Sequence, residues 1–202
     1  MNPRLLIALV VAGSLALAFA LFGALTTGGG GTGGAQARDT IEGARLPAGV
    51  RAPDFALRDQ DGRAVTMRSL RGRPVVVTFL YTTCQNTCPA QAQQIKGALD
   101  QLGHDLPAIA ISVDPPRDTA DSASHFLAKQ GMTGRLRFVL GSRAQLQPLW
   151  RRYAVTPQRP GQEHMGRIVL VDAHGFQRIG FPASEATPER LAHDLALLER
   201  AG

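Results

Sequence analysis

Apolar residues form three kinds of run along this chain. The first, Leu5 to Leu25, is apolar almost without interruption, and no charged side chain stands between Arg4 and Arg38. As a helix rising about 1.5 Å per residue it would reach about 31 Å, close to the hydrocarbon thickness of a bilayer. The second kind is short and continuous. Val75 to Leu80, introduced by Pro74, and Ala108 to Val113 are β-rich and apolar on both faces, which predicts central strands covered on both sides. The third kind is periodic. Ile95, Ala98, Leu99 and Leu102 share one face of a helix predicted over Ala90 to Leu102, with Gly103 as its stop. Phe126 and Leu127 face inward on a helix capped by Asp118 and running to about Gln130. Leu191, Leu195 and Leu198 do the same on a helix opened by Thr187-Pro188. A short strand over Arg137 to Leu140 and a helix over Arg143 to Tyr153 lie between. Two hairpins are predicted, one around Asp61-Gly62 and one, Arg167 to Phe181, around Ala173-His174-Gly175.

The resulting order is hairpin, then β-α-β-α-β-α, then β-β-α, which predicts an α/β domain with a mixed sheet and helices on both faces. With two cysteines directly after a central strand at a helix start, this resembles the thioredoxin fold, extended by an N-terminal hairpin. Three regions follow: a membrane anchor or signal sequence at 1–25, a glycine-rich linker at 26–46 and the thioredoxin-like domain at 47–202. Ala18-Phe19-Ala20 looks like a signal-peptidase site, but the apolar run continues through Leu21, Phe22 and Leu25. An uncleaved transmembrane helix is therefore expected. No cysteine lies near it, which excludes a lipoprotein anchor. Arg4 is expected to stay inside, placing the chain in a bacterial cytoplasmic membrane with its domain on the periplasmic face. The glycines between Thr26 and Ala37 predict a flexible tether.

Composition narrows the function classes. Hydrophobic residues make up 44% and charged residues 19%, as in a folded domain and not a disordered chain. The net charge is +6, and Lys96 and Lys129 are the only lysines among 22 basic residues. Sixteen acidic residues are interspersed with them, and the longest basic run is the pair Arg151-Arg152. Nucleic-acid binding calls for a clustered basic face, so it is not expected here. A mildly basic domain near an anionic membrane surface fits better.

The only cysteines are Cys84 and Cys88, in Tyr81-Thr82-Thr83-Cys84-Gln85-Asn86-Thr87-Cys88-Pro89. A helix start favours thiolate over thiol. Four-residue spacing on a helical turn would put both sulfurs on one side, free to close on a metal ion or to join as a disulfide. A structural bridge is a poor explanation, because closing a five-residue loop constrains little of the unfolded chain. Inert packing is also disfavoured, since polar neighbours at a strand–helix junction predict solvent access. Two thiolates suit Cu(I) or Zn(II). A closed zinc site wants four ligands, whereas Cu(I) is content with two or three, a histidine being the natural third.

Three ordered segments resemble the Sco/SenC family of copper proteins. They are Val77 through Cys84 to Cys88-Pro89, then Ser112-Val113-Asp114-Pro115-Pro116-Arg117-Asp118-Thr119, and then Glu163-His164-Met165-Gly166 leading to Asp172. The resemblance implies that Cys84, Cys88 and His164 hold one copper ion. It also implies delivery to the dinuclear copper centre of cytochrome c oxidase subunit II, with other copper chaperones as further partners. Spacing alone does not select His164; His125 and His193 fall in predicted helices, and His104 and His174 in turns. Tyr81 and the Asp114-Pro115 loop are expected to frame the site. Gln85-Asn86 stand where many members carry Pro-Asp, a departure that removes a carboxylate from the loop but no ligand.

The rival reading is a membrane-anchored thiol–disulfide oxidoreductase that uses Cys84 and Cys88 as a redox couple to keep partner cysteines reduced. CxxxC in place of CxxC, and Glu163-His164-Met165-Gly166 where a proline is usual before the facing strand, favour copper. A peroxiredoxin reading fails because Tyr81 and Gln85, not threonine, stand three residues before the cysteines.

Overall fold

A computed structural model describes residues 40–159 and 166–202. The expected transmembrane span at Leu5 to Leu25 lies outside these residues. Among the described residues no helix is long and apolar enough to cross a membrane.

The continuous apolar runs form the centre of a six-stranded sheet. Strand β4 (Val75–Leu80) is buried along its whole length, as is β5 (Ala108–Ser112). They pair in parallel, and β5 pairs in parallel with β6 (Arg137–Val139). On the other side β7 (Arg167–Val171) runs antiparallel to β4, and β8 (Gln177–Pro182) antiparallel to β7. A two-residue strand β1 (Ala44–Arg45) adds to β8, giving the order β1-β8-β7-β4-β5-β6. The predicted hairpin stands apart as β2 (Ala56–Arg58) and β3 (Ala64–Thr66), with Gly62 at φ +74° in its turn. The buried carboxylate of Asp59 takes the Arg137 guanidinium at 2.7 Å and ties this hairpin to β6.

Alternation along the strands splits the core into two layers. Val76, Leu80, Ala110, Phe138, Ile168 and Leu170 face helices α1 (Thr87–Leu102), α2 (Ala120–Lys129) and α4 (Pro188–Ala201). Val75, Val77, Phe79, Ile109, Ile111 and Val169 face the hairpin and α3 (Arg143–Arg152), whose Trp150 is the largest fully buried side chain. Period-two side-chain direction in strands produces this division.

Two details differ from the sequence reading. Strand β1 lies inside the stretch read as linker. Its two residues carry no pattern, and what holds them is distant: fully buried Asp194 on α4 accepts the amides of Glu42 and Gly43 at 2.9 Å each. Asp118 is also not the cap of α2. Thr119 caps that helix, in a reciprocal box with Ser122, while the Asp118 side chain is buried and turned toward the cysteines' loop.

Candidate functional site

Strand β4 ends at Leu80, and the chain turns immediately. The Cys84 amide donates to the Tyr81 carbonyl at 3.3 Å, and α1 starts only at Thr87. Cys84 therefore sits in the turn and not on the helix, contrary to the one-helical-turn picture. Its sulfur still meets the helix. The Cys88 amide donates to Cys84 Sγ at 3.2 Å, and Asn86, the N-cap residue, makes no side-chain cap. Cys84 thus occupies the place of a capping acceptor, where helix-start amides favour negative charge.

Both cysteines are free thiols, and they are not equivalent. Cys88 begins the stripe Cys88, Ala92, Ile95, Leu99 that α1 buries, and it is 1% exposed; Cys84 is 9% exposed. The sequence reading expects both to be reachable, but both are buried: the inward face of α1 encloses Cys88, and Cys84, in the turn, is only the less enclosed of the two. The Cys84 thiol is held down to about 5. The largest cause is the hydrogen bond from the Cys88 thiol; the Cys88 amide, the Tyr81 hydroxyl and the Asn86 amide add to it, against the opposing effect of burial. Donating that hydrogen bond, together with burial, pushes the Cys88 thiol up. The pair is a thiolate held by a thiol.

A pH prediction follows. Alkylation of metal-free, reduced protein at Cys84 is expected to be half-maximal near pH 5 instead of near the ordinary thiol value of 9. The rate falls as pH drops through 5, because only the thiolate reacts. Mass spectrometry of iodoacetamide adducts at stepped pH checks it, and a half-maximum above pH 8 would refute the arrangement.

Around the pair, Tyr81 reaches Cys84 with its hydroxyl; burial and that hydrogen bond push its own ionisation up. The Asp114 carboxylate takes Arg117 Nε at 2.5 Å. Arg117 in turn exerts its charge on Tyr81. Fully buried Gln91, one turn beyond Cys88, donates to the Arg167 carbonyl at 2.9 Å and to the Thr78 hydroxyl. It thereby fixes the entrance of β7 against α1. A Cβ on Gly166 would run into the Gln91 amide and stand 2.7 Å from Ala183 Cβ, so only glycine permits this approach. A cavity of about 700 Å³ opens beside the site, lined by Thr87, Pro157, Arg159, Gly166, Arg167 and Phe181 among others. Neither cysteine lines it.

The structure brings Cys84, Cys88 and Tyr81 together. His164 falls in 160–165, outside the described residues. Of the other histidines, His104 pairs with Glu199 at 2.9 Å and His193 with Asp194 at 3.1 Å. His125 is exposed on α2, and His174 lies in the β7–β8 turn. Among the described residues no group of three or more His, Cys, Asp or Glu side chains could hold a metal. The sequence reading missed Gln91, a polar residue on an apolar helix face, and the true place of Asp118. The first carries a weak signal, a glutamine among core positions.

The sheet order and the dithiol at the end of its central strand define a thioredoxin-like dithiol protein. The sequence matches the SCO1/SenC family model over residues 44–199, and the chain belongs to that family. It is 30% identical to Protein SenC of Rhodobacter capsulatus over 149 residues, covering 68% of this chain and 66% of that protein. It is 28% identical to the mitochondrial SCO1 homolog 1 of Arabidopsis thaliana over 126 residues, covering 60% and 37%. The matched stretch is thus less than two thirds of either relative. The structure of Bradyrhizobium japonicum ScoI with copper bound superposes with a TM-score of 0.62 at 33% identity, covering 73% of this chain and 99% of that one.

Proposed function

We propose that this chain is a copper metallochaperone. It takes up one copper ion on Cys84, Cys88 and His164 and delivers it during cytochrome c oxidase assembly, to the dinuclear copper centre of subunit II. The observation that carries the reading is the reduced pair itself. Two soft donors, one already a thiolate, lie in mutual contact at the end of a central strand, Cys84 being the less enclosed of the two. Such a donor set suits Cu(I). The solved relative that carries copper supports the choice of ion.

His164 suits the third place by chain reach. It stands two residues before Gly166, which packs on Gln91 of the cysteine helix, and two residues span at most about 7 Å. Delivery then needs no electron transfer. A cysteine or histidine of the recipient displaces His164, a second displaces Cys84, and Cys88 lets go last as the more enclosed donor. The ion stays Cu(I) throughout; Cys84 is released as the thiolate it already was, Cys88 takes up one proton, and a recipient cysteine that binds as thiolate gives up its own. Residues 1–25 serve as the membrane anchor and the glycine-rich stretch that follows as a tether, which holds the domain on the periplasmic face where the recipient site is assembled.

The test compares wild type with His164→Ala for Cu(I) affinity, for metallation of a soluble subunit II domain and for reduction of a disulfide in that domain. Weaker copper retention and impaired metallation, with disulfide reduction intact, are expected. Full affinity and full metallation in His164→Ala would sink the assignment and leave the thiol–disulfide reading in its place.

A further inference from the structure

Asp118 is 7% exposed and makes three side-chain hydrogen bonds, none of them to its own helix. Its Oδ1 accepts the Thr82 amide at 2.7 Å and the Thr82 hydroxyl at 2.8 Å. Its Oδ2 accepts the Ser112 hydroxyl at 2.5 Å. Ser112 is the last residue of β5, fully buried, and its carbonyl takes Trp150 Nε1 at 2.9 Å. The Asp118 amide bonds back to the Asp114 carbonyl at 3.0 Å, which folds the loop onto itself. One carboxylate therefore links the rigid end of a central strand to the turn Tyr81–Cys84. The turn is otherwise held by the Cys84 amide on the Tyr81 carbonyl and by Cys84 Sγ on the Cys88 amide, while Thr83, Gln85 and Asn86 are exposed.

We propose that Asp118 is the positioning residue of the dithiol, holding the Tyr81–Cys84 turn so that the pair favours the open, reduced form over the disulfide. The geometry supplies the reason. In the reduced pair, Cys84 Sγ is seated on the Cys88 amide, whereas a disulfide needs the sulfurs at about 2.05 Å with a narrow torsion. Cys88 is fixed by core packing of α1, so Cys84 and its turn must move. Asp118 resists that movement. Because only the dithiol binds metal, the same brace keeps the site ready for copper, and to this extent the inference rests on the proposed function.

The experiment equilibrates metal-free protein with glutathione, where oxidation of the two protein thiols to one disulfide reduces one GSSG to two GSH. Asp118→Ala is expected to shift this equilibrium toward the disulfide by about tenfold, since three hydrogen bonds are lost; for a two-electron couple that is about 30 mV. Asp118→Asn keeps an acceptor oxygen for Thr82 and is expected to stay close to the wild-type equilibrium. Phe138→Leu, a core change on β6, controls for general loosening and should lower the unfolding midpoint without moving the equilibrium. If Asp118→Ala does not fold, Thr82→Val removes one of the three bonds at nearly constant shape and should move the equilibrium about threefold the same way. No shift in either variant would overturn the inference. So would an Asp118→Asn protein shifted as far as Asp118→Ala, which would assign the effect to charge. Cu(I) affinity is measured in parallel. A wild type that binds no copper while Asp118→Ala still shifts the thiol equilibrium would refute the proposed function and leave the brace standing.

Discussion

Cys88→Ser is expected to cost more copper affinity than the 10–100-fold typical of altered outer-shell groups, because it removes one of two soft donors. The fold should survive. Serine has nearly the shape of cysteine, and its hydroxyl can still donate to Cys84 as the Cys88 thiol does. The Cys84 thiolate should therefore persist, and its alkylation should still extend well below pH 9. Cu(I) competition with a chromophoric chelator reads the affinity, and the alkylation profile reads the thiolate. Near wild-type copper affinity in Cys88→Ser, with the thiolate intact, would show that the buried sulfur is not a ligand. Cys84→Ser separates the roles further, since it removes the less enclosed soft donor while its hydroxyl can still accept from the Cys88 amide at the start of α1.

Trp150→Ala is expected to destabilise the domain by about 3–5 kcal/mol, as truncation of a buried aromatic does. Against the usual total of about 5–15 kcal/mol, this is a large share. Trp150 is 1% exposed and lies in the layer between α3 and the sheet, near Tyr153 and Phe79. Its removal also leaves the buried Ser112 carbonyl without the indole donor, and an unpaired buried acceptor adds cost. Trp150→Phe keeps most of the volume and loses only the donor, so it should cost about 1–3 kcal/mol. Urea unfolding followed by circular dichroism distinguishes the two, and a Trp150→Ala loss below about 1 kcal/mol would contradict this packing. The same change should be felt at the cysteines, because Ser112 is the residue on which Asp118 leans.

The site was legible in unequal parts. Cys84 and Cys88 announce themselves as the only cysteines, placed where an apolar run gives way to a helical period. Their inequality does not show in the sequence. It arises because Cys88 begins the buried stripe of α1 while Cys84 remains in the turn, and that depends on a helix start three residues earlier than the periodic pattern suggests. Asp118 was visible within Ser112 to Thr119, but an acidic residue next to a helix start also reads as a cap. Thr119, with its box to Ser122, takes that role and leaves the carboxylate free to turn inward. His164 entered through family resemblance alone, since no spacing rule joins it to the cysteines.

The order of elements, both hairpins, the buried character of β4 and β5 and the location of the dithiol were determined by the sequence on its own. These follow from periods of two and 3.6, from turn residues such as Asp61-Gly62, and from breakers such as Pro74 and Gly103. All are short-range features that neighbouring residues encode together. Only the tertiary structure decided the pairing of β1 through Asp194, the contact of Gln91 with the entrance of β7, the enclosure of Cys88 and the seat of Asp118 beneath Thr82. Each joins groups far apart in the chain: 152 residues from Asp194 to Glu42, 76 from Gln91 to Arg167, 36 from Asp118 to Thr82. A polar side chain satisfied across such a distance leaves no periodic trace, because its partner is chosen by where the packed sheet and helices bring the backbone, not by its neighbours in sequence.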